Sequence, residues 1–457
     1  MTLARHVART LSLGLPLVGS LVAMVLIGVT DAAMLGRYSV EALAAGTLGH
    51  TYFFTLYLLT SGFAFAVQGI AADATGRGDE RAARRATRMA LWLSALAGAA
   101  VMPAMIWSEP VLRALGQTEQ VARDGEAYLR IAAWGLVPML VMSVLRSHLS
   151  ALERTRVVLW ATLAAGALNM AVNWVLIFGN LGAPEMGIRG AAVASVAVQV
   201  SMAAALWAYA ARGPGMARWA LFRNLGRPDW PMLRRVAALG WPVGLTHLSE
   251  SGLFAASALM MGWLGTTALA AHGIAIQIAS AIFVVHLGLS QAATVRVGRL
   301  AGEADAAGLR RAAVAAILLS SAAVAAATVL YLGAGRWLIG LFLDRADPAT
   351  PAILGLGATL LVVAALFQLV DAAQVMALGM LRGLQDTRVP MVMAVVAYWG
   401  VGMPTGYVLG FPLGLGPVGI WLGLTAGLAV AAAALGWRLL RLLPPAERAP
   451  LTTAPSA

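Results

Sequence analysis

Long apolar runs constrain the fold of this chain more than any other feature. Of its 457 residues, 60% are hydrophobic and only 11% are charged, and the mean hydropathy is +0.80. An ordinary soluble domain carries about 25% charged residues, and a soluble protein of this size needs more polar residues than this to cover its surface. The composition therefore excludes a soluble globular enzyme and predicts a polytopic membrane protein.

Twelve segments are suited to cross a membrane as helices, which need about 20 mostly apolar residues each. Transmembrane β-strands would instead alternate in polarity over about ten residues, so the fold class we expect is all-α. The first segment is too long for a signal peptide, and we expect it to be retained. The predicted spans are 11–35, 42–71, 87–107, 126–151, 157–178, 188–211, 236–263, 267–295, 312–342, 352–380, 389–410 and 417–443.

The arginines predict the orientation of these spans. All 32 basic residues are arginines, against 20 acidic residues, and cytoplasmic loops are enriched in basic residues. With the N-terminus inside, 25 arginines fall in cytoplasmic segments and 7 in outer segments. The split predicts that both termini are cytoplasmic. It also assigns the basic excess to the face near anionic lipid, so we expect no nucleic-acid partner.

Several kinds of catalytic site are absent from the sequence. The chain has no cysteine and no lysine, which excludes thiolate nucleophiles, disulfides, lysine Schiff bases and a Walker-A phosphate loop. The six histidines show no metal-binding spacing, and His247 with Glu250 lacks the second histidine of a zinc site. We therefore predict that the protein is not an enzyme and needs no cofactor.

The two halves of the chain resemble each other at an offset of 226 residues, which becomes 232 further on. Pro16 matches Pro242, Asp79 matches Asp305, and the Arg84-Arg85 pair matches Arg310-Arg311. Each copy holds six predicted helices, and an even number gives a parallel duplication of two bundles. We predict an N-terminal six-helix bundle over 1–212, a cytoplasmic linker over 213–231 and a C-terminal six-helix bundle over 232–457. Pro16 can kink its helix, either as a static bend or as a hinge.

Three acidic residues lie inside predicted spans: Asp31, Glu250 and Asp371. A carboxylate at membrane depth costs at least about 2.5–3.5 kcal/mol, which favours a functional role over a purely structural hydrogen bond. Phe254 lies one turn after Glu250 and Phe367 one turn before Asp371, so each aromatic shares a face with its acid. A carboxylate beside an aromatic ring suits an organic cation or a desolvated metal ion.

A second polar group is predicted in the first half. Asn169 and Asn173 are four residues apart on one helix face, and Ser195 lies on the next predicted helix. With Asp31 they offer only oxygen ligands, which suits a hard cation such as Na⁺. Asparagines in membrane helices also join neighbouring helices by hydrogen bonds. We therefore predict a cation or proton site at Glu250 and Asp371, or at Asp31, Asn169, Asn173 and Ser195.

Several of these motifs together resemble a known family. Three groups of residues resemble those of the multidrug and toxic compound extrusion (MATE) family, in its NorM-like bacterial branch. They are Pro16 with Gly28-Val-Thr-Asp31-Ala-Ala-Met34, Glu250 with Ala270-Ala271-His272, and Phe367-Gln-Leu-Val-Asp371 followed by Leu381-Arg382-Gly383. The resemblance implies a monomeric antiporter of the bacterial inner membrane, coupled to Na⁺ or H⁺ and exporting cationic and amphipathic compounds. It places cation sites in both bundles and a substrate cavity at Phe254, Phe367 and Gln277. Some relatives carry Asp where this chain has Asn173, so the first-half site is less charged here.

Three other functions remain open from the sequence. A flippase for lipid-linked or saccharide intermediates would keep the fold, but we would expect basic residues in its cavity for phosphate. A membrane-embedded enzyme lacks a nucleophile or metal motif here. A passive channel fits the duplicated bundles with isolated acids less well than a carrier does.

Overall fold

The computed structural model of the chain describes residues 2–344 and 347–444. The regular secondary structure of the described residues is entirely helical and contains no β-strand, so the predicted all-α fold class is confirmed. Arg345 and Arg448, which the topology prediction counted, lie outside the described residues, as does the end of the predicted C-terminal bundle at 445–457.

Fourteen α-helices make up the described chain. Those of the first half are α1 Leu3–Tyr38, α2 Val40–Gly76, α3 Glu80–Ile106, the short α4 Glu109–Ala114, α5 Glu119–Ala151, α6 Thr155–Phe178 and α7 Gly187–Arg212. Those of the second half are α8 Trp230–Trp263, α9 Thr266–Gly302, α10 Ala306–Gly340, α11 Thr350–Gly383, α12 Arg388–Val395, α13 Met403–Gly410 and α14 Gly416–Leu442. A π-helical segment, Val396–Gly402, joins α12 to α13.

Eleven spans among the described residues are long and apolar enough to cross a membrane, with α12 and α13 counted as one. The chain is therefore a multi-pass membrane protein. The long helix α8 is not among the eleven, because it carries polar residues such as His247 and Glu250. The count of twelve spans stays a prediction.

The helices are longer than the predicted spans where they leave the apolar region. Helix α3 begins at Glu80, one turn or more before residue 87, because the Asp79 side chain caps its first turn. Helix α9 continues to Gly302, past residue 295. The spans were predicted from apolar residues, and the end turns of these helices are charged. The sequence therefore predicted only the apolar middle of each helix.

The duplication is visible in local geometry. Asp79 and Asp305 cap equivalent helices by accepting hydrogen bonds from Ala82 N at 2.9 Å and Gly308 N at 2.8 Å. At the later offset, Glu153 and Gln385 both adopt left-handed backbone, with φ of 60° and 61°. The two copies therefore share their turns as well as their apolar pattern.

The buried side chains form two main clusters. One joins α1 to α7 with the linker residues Met216, Trp219 and Leu221, and the other lies within α8 to α14. A few residues, such as Val236 and Ala292, belong to the cluster of the opposite half. The domain boundaries at 212 and 232 stay a prediction.

The halves meet through glycines that permit backbone contact. A methyl group on Gly62 of α2 would lie 2.2 Å from the carbonyl oxygen of Gly240 on α8. The repeat-equivalent contact joins α9 to α1, where a methyl on Gly288 would lie 2.8 Å from Val18 N. Small residues allow membrane helices to approach this closely. Pro16 and Pro242 lie beside these two crossings, but a hinge at Pro16 stays a prediction.

The contact continues to the arginine-rich end of the molecule. A methyl on Gly76 would lie 2.1 Å from Arg299 O, and a methyl on Gly302 would lie 2.1 Å from Asp73 O. Gln385 Nε2 also donates to Asp73 Oδ2 at 2.8 Å across the halves. Toward the other end, α2 and α9 expose Phe54 and Gln277 instead. The halves are thus packed together at the arginine-rich end.

We predict that Gly62→Val weakens this closure, because the added side chain has no space against α8. Gly273→Val on α9 is the matched control, since a methyl there has no neighbour within 4 Å. The measurement is the yield of crosslinking between Asp73→Cys and Gln385→Cys, introduced into a chain with no native cysteine. Gly62→Val should lower the yield severalfold relative to the control. Equal yields in the two variants would show that this glycine contact does not hold the end closed.

Candidate functional site

Four helical segments of the second half bring their polar residues together inside the bundle. We call this cluster the carboxylate chamber: Glu250 on α8, Tyr331 on α10, Gln368, Asp371 and Gln374 on α11, and Tyr398 on the π-helical segment. Glu250 and Asp371 interact electrostatically with each other, and Tyr398 interacts with both. The two acids that the sequence predicted to act together are therefore neighbours.

Several polar atoms of the carboxylate chamber are buried without partners. Asp371 is 2% exposed, and Gln368 and Gln374 are fully buried. Asp371 Oδ1, both amide atoms of Gln368 and both tyrosine hydroxyls form no hydrogen bond with the described protein atoms. Gln374 has a hydrogen-bond interaction with Glu250. A buried polar group left unpaired costs about 1–3 kcal/mol. So many unpaired oxygens in one place suit a cation or a proton that binds there.

Arg382 connects the carboxylate chamber to the other half. It is the cation that acts electrostatically on Glu250 and Tyr398. Its guanidinium carbon lies 5.9 Å from the ring centre of Phe65 on α2, and Phe65 packs edge-on against His247 at 5.0 Å. A methyl on Gly69 would lie 2.3 Å from Arg382 O. The charge that faces Glu250 is therefore held in the contact between the halves.

Aromatic rings form a wall beside the acids. Phe254 packs edge-on against Phe367 at 6.1 Å, and Phe367 packs against Trp421 at 5.4 Å. Trp421 Nε1 donates to His272 Nδ1 at 3.1 Å. The two phenylalanines singled out by the sequence are thus neighbours. Phe367 is buried, with only 2% of its surface exposed. Gln277 lies exposed on α9, and its role in a substrate cavity, like that of the phenylalanines, stays a prediction.

The four polar residues predicted in the first half also converge. Asn173 Nδ2 donates to Asp31 Oδ1, and to Asn169 Oδ1 at 3.2 Å. Tyr128 of α5 interacts electrostatically with Asp31 and has a hydrogen-bond interaction with Ser195. Both asparagines are fully buried, Asn169 also has a hydrogen-bond interaction with Asp31, and Asn173 Oδ1 has no partner among the described residues. This group can offer carboxylate, amide and hydroxyl oxygens to a hard cation.

Four histidines form hydrogen bonds with side chains of other helices, whereas His247 Nδ1 is buried with no partner among the described residues. His148 Nδ1 pairs with Thr87 Oγ1 at 2.9 Å, and His286 Nδ1 pairs with Ser320 Oγ at 3.0 Å. Within residues 2–344 and 347–444, no three His, Asp or Glu side chains are grouped so as to hold a metal ion. A sodium ion, bound through amide and carboxylate oxygens together, would need no such group.

The sequence analysis missed several members of both sites. Gln368 and Gln374 lie three residues either side of Asp371, so they share its helix face. That polar stripe on an apolar helix was a usable signal. Tyr128, Tyr331 and Tyr398 come from other helices, and nothing in their sequence neighbourhood indicates what they face.

The comparisons with known proteins agree with this architecture. The family model described as MatE matches residues 16–175 and 242–408. The chain belongs to the MATE family. The two matches start 226 residues apart, which is the offset of the internal repeat. Members of the MATE family are transporters, so the prediction that the protein is not an enzyme is confirmed.

Curated bacterial MATE relatives match along nearly the full chain. A probable multidrug resistance protein NorM of Rhizobium meliloti (strain 1021) is 44% identical, over 97% of this chain and 95% of the relative. A multidrug resistance protein NorM of Burkholderia vietnamiensis is 37% identical, over 96% and 94%. The predicted assignment to the NorM-like bacterial branch is confirmed.

Solved MATE structures share the fold at low identity. One is an outward-facing multidrug resistance MATE transporter, with a TM-score of 0.85 and 20% identity over 96% of this chain and 97% of that one. Another is a transporter of the same superfamily from Pyrococcus furiosus, also with a TM-score of 0.85 and 20% identity, over 95% of each chain. These likenesses concern the fold alone.

We predict that Asn173→Ala destabilises the protein by about 1–3 kcal/mol, because the partly buried Asp31 loses a hydrogen-bond donor. The matched control is Asn180→Ala, which removes an amide that donates to Trp174 O at 2.9 Å at an exposed site. The measurement is the free energy of unfolding of purified protein in detergent. If both variants lose the same stability, the hydrogen bond from Asn173 does not support Asp31.

Proposed function

We propose that this MATE protein is a secondary active multidrug efflux transporter, a monomer that exchanges Na⁺ or H⁺ for cationic and amphipathic compounds. The observation that carries the proposal is the carboxylate chamber, where Asp371 and several polar neighbours of the two acids have buried polar atoms with no hydrogen-bond partner among the described residues. An unpaired carboxylate at membrane depth is stabilised when a proton or a cation neutralises it. An ion gradient across the membrane can therefore load and unload this chamber.

Arg382 couples the charge of the carboxylate chamber to the contact between the halves. When Glu250 is unloaded, its negative charge attracts Arg382, which lies over Phe65 of the other half. When an ion or proton neutralises Glu250, that attraction falls. The equilibrium between the closed and the open state of the arginine-rich end then depends on whether an ion or proton occupies the carboxylate chamber. Alternating access requires such a dependence.

Topology and relatives support the direction of transport. With the arginine-rich loops in the cytoplasm, the packed end of the two halves is cytoplasmic. Both termini are then cytoplasmic, and we place the protein in the bacterial inner membrane. The NorM relatives, which are multidrug resistance proteins, support export.

The charge of the chamber supports cationic cargo. Glu250 and Asp371 lie deep in the second half, whereas a phosphate-bearing lipid intermediate would require basic groups there. The fold by itself does not decide the cargo, since the reverse polarity of its binding pocket suggests a different function for the Pyrococcus furiosus transporter. For this reason the substrate class rests on the acids and on the NorM relatives.

We predict that transport responds to at least one imposed ion gradient. Purified protein in proteoliposomes should move a fluorescent organic cation faster when a Na⁺ gradient or a pH gradient is applied alone. Applying the two gradients separately identifies the coupling ion. Drug movement that ignores both gradients would contradict antiport and favour a passive channel.

We predict that Asp371→Asn abolishes export while the amount of protein in the membrane stays normal. The amide keeps the size of the side chain but cannot take up or release the coupling charge. The matched control is Asp124→Asn, whose carboxylate accepts a hydrogen bond from Gln120 at 2.9 Å at an exposed position. Cells carrying each variant are compared for resistance and dye efflux. Export at the normal rate by Asp371→Asn would remove this carboxylate from the mechanism.

A further inference from the structure

A second polar feature lies outside both candidate cation sites, at the arginine-rich end. A cavity of about 640 Å³ opens between the start of α3, the linker and the start of α8. We call it the arginine pocket. Six arginines line it together with a single acid: Arg81, Arg84, Arg85, Arg88, Arg223, Arg227 and Asp229. So many like charges around one cavity repel each other unless an anion lies between them.

Arg88 is built into the wall of the arginine pocket. It is only 7% exposed, and its Nη2 donates to the carbonyl oxygens of Asn224 and, at 2.9 Å, Arg227. Trp92 Nε1 fixes the same linker segment by donating to Leu225 O at 2.9 Å. Arg88 Nε has no partner among the described residues. The guanidinium is thus fixed by the linker while Arg88 lines the cavity, and a fixed cation at a cavity favours an anionic ligand.

The one acid does not neutralise the arginine pocket. Asp229 is bound by Arg85 through both carboxylate oxygens, with Nη2 at 3.1 Å from Oδ1. Hydrogen bonding to Arg85 holds the pKa of Asp229 below its usual value, so its charge is fixed and already paired. Arg81, Arg223 and Arg227 form no salt bridge with the described residues. A positive excess therefore remains on the pocket walls.

We propose that the arginine pocket binds a multiply charged phosphate group and so ties the linker to both halves. Guanidinium groups match phosphate oxygens in paired, planar hydrogen bonds, and several arginines suit a ligand with more than one negative charge. Trp230 on the rim is 61% exposed, and exposed tryptophans at helix ends are typical of the membrane interface. A lipid headgroup such as that of cardiolipin can reach such a place, and a soluble diphosphate carries the same chemistry.

The test uses the full-length protein purified in a neutral detergent. Its thermal unfolding midpoint is measured against increasing cardiolipin, phosphatidylcholine or inorganic pyrophosphate. The test variant, Arg223→Gln with Arg227→Gln, removes two pocket arginines. The matched control, Arg212→Gln with Arg234→Gln, removes the same charge from exposed residues outside the pocket.

Cardiolipin should stabilise the wild type and the control alike, whereas phosphatidylcholine should not. In the test variant the apparent affinity should fall roughly tenfold or more, since each arginine near an anionic headgroup contributes to binding. Stabilisation by pyrophosphate as well would show that phosphate chemistry alone is sufficient, and stabilisation by cardiolipin alone would identify the lipid. If the test variant proves unstable, Arg81→Gln on α3 replaces it. Equal weakening in pocket and control variants, or no stabilisation by either anion, would overturn the proposal.

Discussion

The close backbone contact between the two halves is the interaction on which the rest of this structure depends. At Gly62 and Gly288 a single methyl group would meet the backbone of the facing helix. The same holds at Gly76 and Gly302, near the arginine-rich end. In a membrane, helices gain little from burying apolar surface against each other, so packing at short range supplies most of the attraction. Such packing is lost steeply with distance, which suits an interface that must open and close.

The acids can affect the conformation of the protein because Glu250 lies close to this interface. A buried carboxylate far from any moving part could bind an ion without consequence elsewhere. Glu250 instead faces Arg382, and Arg382 lies in contact with Phe65 and Gly69 of the other half. Ion binding therefore changes an electrostatic interaction located where the halves meet. A ligand can shift a conformational equilibrium only through a difference in its binding to the two states, and this arrangement provides a place for that difference.

Sequence patterns predicted the scaffold more fully than the sites. Apolar runs, arginine distribution and the repeat were sufficient for an all-α fold with two related halves, because each depends on local composition or on a fixed offset. The cost of burying an acid singled out Glu250 and Asp371 separately, and the family resemblance implied that they share a site. By contrast, Tyr128 and Tyr398 enter the sites from helices distant in sequence. Their positions follow from how the helices cross, which no local pattern encodes. The arginine pocket was likewise hidden, since its residues were interpreted only as markers of topology.

Comparison of repeat-equivalent positions shows which residues the two halves share and which differ. Shared features are structural: the capping aspartates, the prolines beside the crossings and the paired left-handed turns. The acids are not shared, since the repeat positions of Asp31, Glu250 and Asp371 hold Ser257, Met24 and Met139. Two identical sites in a symmetric frame would respond to an ion in the same way. With a two-carboxylate chamber on one side and a single carboxylate among amides on the other, the halves can respond to one ion with different affinities. The symmetric scaffold supplies the movement, and the unequal chemistry allows ion binding to bias it.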